Sequence, residues 1–308
     1  MPTLPEGVTF GAFTPESAAA LLSAAAPVES VLPTLYVNSY TGSNTYTGTS
    51  SDQPLATIAE ALARANNGSI IGIFGVFKEH CTTRLGLQDV TIVGQANTPR
   101  QATSGGVANG GGATWLSATG GTTALLTIQG QGFTIQNIYF NNSATAAPCL
   151  DLITVGDPPS EADAAHLLVQ GCIFTGADNG IDATDGTNFV RIVDCTFLNF
   201  AGSGDIAINA TGGVGTLLDW RIVGCKFYNN VINIKAALSH GTIAGCYIEA
   251  GSTTTIDLTN GTAPNFVVGN AFNIAADDFD PAGGVTGVTG DVWSNTLTNE
   301  IQTGLPAN

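Results

Sequence analysis

The sequence predicts an all-β protein, a single-stranded parallel β-helix with an N-terminal capping helix. Three observations carry that expectation. A seven-residue segment recurs at intervals of 21 to 34 residues, the signature of stacked repeats. The repeating unit shows no helical period, so each copy reads as short strands and bends. The composition, with 39 glycines and 10% charged residues among 308, suits short strands and tight turns. Helix bundles draw instead on Leu, Glu, Lys and Arg.

The repeat is best seen in the segments TIQNIYF, LVQGCIF, RIVDCTF, RIVGCKF, TIAGCYI, FVVGNAF and DVWSNTL, which align without gaps. One column reads Ile138, Cys172, Cys195, Cys225, Cys246, Asn270 and Asn295. Two residues on it reads Phe140, Phe174, Phe197, Phe227, Ile248, Phe272 and Leu297. Residues two apart on a strand share a face, and this face is apolar, so it points inward. Three residues before the cysteine stand Ile135, Val169, Ile192, Ile222, Ile243, Val267 and Val292. Directly before it stand Asn137, Gly171, Asp194, Gly224, Gly245, Gly269 and Ser294. Gly, Asn and Asp tolerate positive φ, so a bend is expected there.

A second strand follows in several units, marked by Ile181, Ile208, Ile234 and Ile256, with Leu150 ahead of them, so a unit holds at least two short strands. Units stacked at about 4.8 Å place like residues above one another. Cysteine over cysteine then forms a small apolar ladder, and asparagine over asparagine a hydrogen-bonded one. The structural ladder is therefore expected to run through Cys172, Cys195, Cys225, Cys246, Asn270 and Asn295, with Phe174, Phe197, Phe227 and Phe272 beside it. Leucine-rich and propeller repeats lack their signatures here. The cysteines carry no CxxC spacing and no companion histidines, which argues against a metal site. With no cationic, apolar leader in MPTLPEGVTF, buried reduced thiols are expected rather than disulfides.

The stretch LYVNSYTGSNTYTGTSSDQPLATIAEALARANNGSIIGIFGVFKEH covers residues 35–80. It holds a strand, a Gly/Asn/Ser/Asp loop, a helix expected over Pro54–Asn66 and an apolar stretch, SIIGIFGVF, that reads as a buried strand. Leu55, Ile58, Leu62 and Ala65 line one face of that helix. An open end of a strand stack is an unpaired edge, and an amphipathic helix over the first rung covers it. This region resembles the opening of the pectate-lyase-like family of right-handed β-helix proteins. As architecture the resemblance spans residues 35–300. It implies a right-handed coil, and the family's enzymes commonly act on polysaccharides. Its lyases use acidic calcium ligands and a basic residue that removes a sugar-ring proton.

Residues 1–34 fall outside the repeat. They read either as a tail packed along the coil or as an attachment arm for a partner. The organisation expected is an arm over 1–34, the β-helix opening over 35–80 and rungs over 81–308. Between residues 96 and 122 a Gly-rich excursion reads as a surface loop, or as one strand around Trp115 between flexible flanks.

Chemistry is sparse. Net charge is −16 with 8 Lys and Arg, which excludes direct nucleic-acid binding and disfavours anionic membranes. His80, His166 and His240 suggest no triad, and Trp220 and Trp293 read as packing. The residue after each second-strand isoleucine points outward, so Asp151 and Asp182 form the best carboxylate pair for a hydrolase. Arg191 and Arg221 occupy equivalent positions and stack, with Asp194 or Asp219 as expected partners. Asp277, Asp278 and Asp280 are candidate calcium ligands or a solubilising cluster. No cofactor is implied.

The expectation is a non-enzymatic structural protein of a bacteriophage virion: a tail spike, fibre or capsid-surface decoration. It would be a homotrimer, located in the virion and bound to other virion proteins through the arm, with a host surface glycan as a further partner. The alternatives are a polysaccharide-degrading tailspike-type glycosidase or lyase, or a carbohydrate-binding surface adhesin.

Overall fold

A coil of this kind turns where its residues tolerate a left-handed backbone, and the bends fall at the positions expected. Asn137, Gly171, Asp194, Gly224, Gly245 and Gly269 have φ of 55°, 62°, 52°, 66°, 63° and 65°. The computed structural model describes residues 32–95, 113–117, 123–142, 147–152, 164–176, 178–183, 187–211, 217–249, 254–262 and 264–273. In backbone alone it describes 102–103, 106–107, 285–286, 292–297 and 301–303. By its internal contacts the chain divides into Met1–Leu32 and Pro33–Asn308. The proposed arm over 1–34 lies almost wholly outside the described residues.

One lap shows the plan. Strand Arg191–Val193 turns at Asp194 into Thr196–Leu198, and a loop leads to Ile206–Ala210. The next lap repeats it as Arg221–Val223, Lys226–Tyr228 and Ile232–Ala236. In the laps from Thr134 to Asp257 the first two strands join one large, mainly parallel sheet, and a later strand joins a second sheet. The chain is thus a single-stranded right-handed parallel β-helix, with the hand that parallel strand–crossover–strand connections take.

Register confirms the columns. Ile71, Ile92, Ile135, Val169, Ile192, Ile222, Ile243 and Val267 pair in succession. Beside them run Phe77, Trp115, Phe140, Phe174, Phe197, Phe227, Ile248 and Phe272. The rings of Phe140, Phe174, Phe197 and Phe227 stack with centroids 4.9–5.1 Å apart and planes within 9°. That spacing is the rise of one lap, and offset stacks of this kind add to the gain from burial alone. Trp115 caps the stack at 5.6 Å from Phe140, so the Gly-rich excursion contributes a core strand, Ala113–Leu116. On the second sheet Leu150, Ile181, Ile208, Ile234 and Ile256 pair in order, all of them wholly buried.

Three expectations need correction. The final lap is out of step: Val267 pairs with Trp293 rather than Val292, and the register recovers by Phe272–Leu297 through an irregularity after Val268. Strand Ile70–Lys78 is buried on its inner face alone, since Phe74 and Val76 are each 38% exposed. The helix is Ile58–Arg64, shorter than Pro54–Asn66. Pro54–Ala56 stays extended because Leu55 exchanges backbone hydrogen bonds with Tyr36 and Asn38.

The short helix holds its place through its ends. Thr57 caps it and accepts from the Glu60 amide. The carboxylate of Glu79 accepts from the amides of Ile58 and Ala59 at 2.8 and 3.0 Å, answering donors that a helix start leaves open. Leu55, Ile58, Leu62 and Ala65 are buried as the face analysis requires. Glu79→Ala is expected to cost about 1 to 2 kcal/mol in urea unfolding. An unchanged midpoint would show that the cap does not hold the first lap.

Candidate functional site

The outer row of the second sheet collects the acidic side chains. Asp151, Asp182, Asn209, Lys235 and Asp257 occupy successive laps in register. Asp151 and Asp182 therefore sit on adjacent laps, separated by about one interstrand spacing of 4.8 Å. Two further carboxylates, Asp178 and Asp205, lie beside them. The signal for these was in the sequence: each stands three residues before an inward isoleucine, Ile181 or Ile208, and so at one repeat position.

The electrostatics of this patch are uneven. Burial, with Asp182 and then Asp205 nearby, pushes the Asp178 carboxyl above the usual carboxylate range. Asn179 donates from Nδ2 to Asp182 Oδ2 at 2.9 Å, while its own Oδ1 is buried without a partner. Asp205 accepts from the Gly202 amide at 2.8 Å. Neighbouring carboxyls whose surroundings differ are what general acid–base chemistry draws on.

The raised Asp178 has a consequence for stability. Its folded form holds a proton to higher pH than its unfolded form does. The stability it contributes is full below the ordinary carboxylate value of 3.8 and is lost as pH rises through the folded value. Asp178→Asn is therefore expected to stabilise the fold at neutral pH and to leave it unchanged near pH 3. A gain that is equal at both pH values would contradict the assignment.

The cysteine column is a structural ladder. Cys172, Cys195, Cys225 and Cys246 are buried and free. Each sulfur lies 3.3–3.7 Å from two carbonyl oxygens, one on the preceding lap and one two residues back. Asn270 takes the next place: its Nδ2 donates to Ile243 O at 3.0 Å, and its Oδ1 accepts from the Cys246 amide at 2.9 Å. Thiol and amide thus serve the same carbonyl position at the corner. The side chain of Asn295 and all of Asp277, Asp278 and Asp280 lie outside the described residues.

Burial pushes the Cys149 thiol up to about 12, and those of Cys195 and Cys246 upward as well. All six thiols are free and buried, so they are expected to react with a disulfide reagent in the unfolded chain and to resist it in the native one. Fast native labelling of any of the four column cysteines would contradict the corner geometry.

Other side chains fall as packing. Trp220 is buried and donates from Nε1 to Thr187 O at 2.6 Å. His80 bonds Ala124 O at 2.9 Å. Arg191 and Arg221 stack in register. Neither has the expected ion pair with Asp194 or Asp219, since among the described residues the ion pair is Arg64–Glu60. Both arginines point out from the strand, while Asp194 and Asp219 sit in left-handed bends.

No protein family and no curated protein matches the chain. Solved structures align with it at low identity. The pectate lyase Pel9A is 11% identical over 86% of this chain and 77% of its own, with a TM-score of 0.47. The pectin methylesterase from carrot is 15% identical over 89% and 91%, with a TM-score of 0.43. ORF18 of Geobacillus virus E2 is 12% identical over 87% and 62%, with a TM-score of 0.37. The likeness is one of fold.

Proposed function

We propose that this protein is a non-enzymatic structural component of a bacteriophage virion, a tail spike, fibre or capsid-surface decoration. The observation that carries the reading is the continuous core, which runs from Val37 under the capping helix to Phe272 without a break between laps. Such a coil makes a stiff rod whose backbone hydrogen bonds are spent between laps, and stiffness is what a projecting virion part requires. Residues 1–34 supply the attachment arm, and three copies associate around a common axis. Light scattering of the purified chain is expected to give three times the 31.3 kDa of one chain, and antibody against the chain is expected to decorate particles in electron micrographs. A monomer in solution with undecorated particles would overturn the reading.

A second reading, a polysaccharide-degrading enzyme, is favoured by the raised Asp178 carboxyl beside Asp182 and Asp205. It requires release of reducing ends from a bacterial capsule extract, abolished in Asp178→Asn and Asp182→Ala. Intact capsule after incubation with the parent chain would remove it.

A further inference from the structure

Successive laps enter the large sheet through a second left-handed bend. Two residues ahead of Leu168, Arg191, Arg221 and Thr242 stand His166, Phe189, Asp219 and His240, with φ of 59°, 59°, 53° and 57°. In earlier laps the bend holds Asp89 and Gly132, types that accept this backbone readily. Phenylalanine is among the types least suited to it. Phe189 nonetheless takes it, 38% exposed, with its ring flat against His166 at 4.7 Å and 4°. Strain of this sort persists at positions kept for something other than stability.

The same face carries the arginine pair. Arg191 and Arg221 sit directly opposite each other on neighbouring strands, where like charges repel. With Leu168 and Asp219 they border an open cleft of about 460 Å³ that the His166–Phe189 rings also line. Two exposed guanidiniums, in no ion pair among the described residues, stand beside a flat aromatic face, on a chain of net charge −16.

We propose that this cleft binds a ring-bearing oxyanion. The ring lies on the Phe189–His166 face, and its carboxylate, sulfate or phosphate group is held by Arg191 and Arg221, whose forked donors match such groups. Asp219 at the rim accepts a hydroxyl from the ligand and disfavours a second anionic substituent. The site lies apart from the acidic row of the second sheet, and the proposal stands whether or not the chain belongs to a virion.

The test titrates the full-length chain at low salt with phenyl phosphate, glucuronic acid, inorganic phosphate and glucose. At least one of the two ring-bearing anions is expected to bind about tenfold tighter than either inorganic phosphate or glucose, and salt is expected to weaken it. Which of the two binds distinguishes an aryl from a sugar source. Arg191→Gln with Arg221→Gln, and separately Phe189→Gly, are expected to remove that tenfold preference. Because glycine relieves the backbone, Phe189→Gly is expected to leave the thermal midpoint no lower than the parent's. The proposal is overturned if inorganic phosphate binds as well as both ring-bearing anions, or if binding survives in the variants. It is equally overturned if Phe189→Gly melts well below the parent, which would make the ring a structural element.

Discussion

Phe197→Ala is expected to lower the free energy of unfolding by about 3 to 5 kcal/mol, the cost of truncating a buried aromatic where the surroundings cannot collapse. Phe197 is wholly buried and sits between Phe174 at 4.9 Å and Phe227 at 5.1 Å. The strands above and below cannot close the gap. They are pinned by backbone bonds from Thr196 to Cys172 at 2.9 Å and from Lys226 to Cys195 at 2.8 Å. The loss therefore includes the cavity as well as the two ring contacts. Urea unfolding measures it. A change below about 1 kcal/mol, the level of a surface substitution, would mean that the ring does not lie in the core column.

Asn230→Leu is the second large effect, expected at about 3 to 5 kcal/mol, and it runs against a purely hydrophobic account. Leucine has a similar size, and the site is 3% exposed, so burial alone favours the substitution. The asparagine, however, is a staple between laps. Its Oδ1 accepts from the Phe200 amide at 3.1 Å, and its Nδ2 donates to Phe197 O and to Asn233 Oδ1 at 3.2 and 2.9 Å. Asn233 carries the chain of bonds on to Glu249 O at 2.7 Å. Leucine would leave buried donors and acceptors on two laps unanswered, each costing about 1 to 3 kcal/mol. A leucine variant as stable as the parent would refute the staple.

What could be read from the residues was what the repeat states more than once. The bend before Cys172 was legible because Asn137, Gly171, Asp194 and Gly224 say the same thing in four laps. Phe77 and Trp115 share the aromatic column but were missed, because their laps lack the cysteine that marks the others and a Gly-rich excursion separates them. The step at Val267–Trp293 was invisible because a β-bulge adds a residue without changing the apolar pattern. The second bend was hidden for a different reason. Gly132 and Asp219 suggest a left-handed backbone by residue type, but Phe189 and His166 do not, so their alignment appears only once the laps are stacked. The carboxylate pair Asp151 and Asp182 was legible from alternation. The repeat position of Asp178 was legible too, but its raised proton affinity was not, because that depends on burial and on Asp182 and Asp205 nearby.

The claim beneath all of this is that distance along the rod counts laps, not residues. Spin labels on the outer row of the second sheet test it, since the native thiols are buried and the row is accessible. Thr82 pairs with Thr127, which leads through Asp151 and Asp182 to Asn209, Lys235 and Asp257. At about 4.8 Å per lap, dipolar distances from a label at Thr82 to labels at Asn209, Lys235 and Asp257 should centre near ~19, ~24 and ~29 Å. Equal steps of about one interstrand spacing are the predicted result. Distances that fail to rise evenly from one position to the next would contradict the coil.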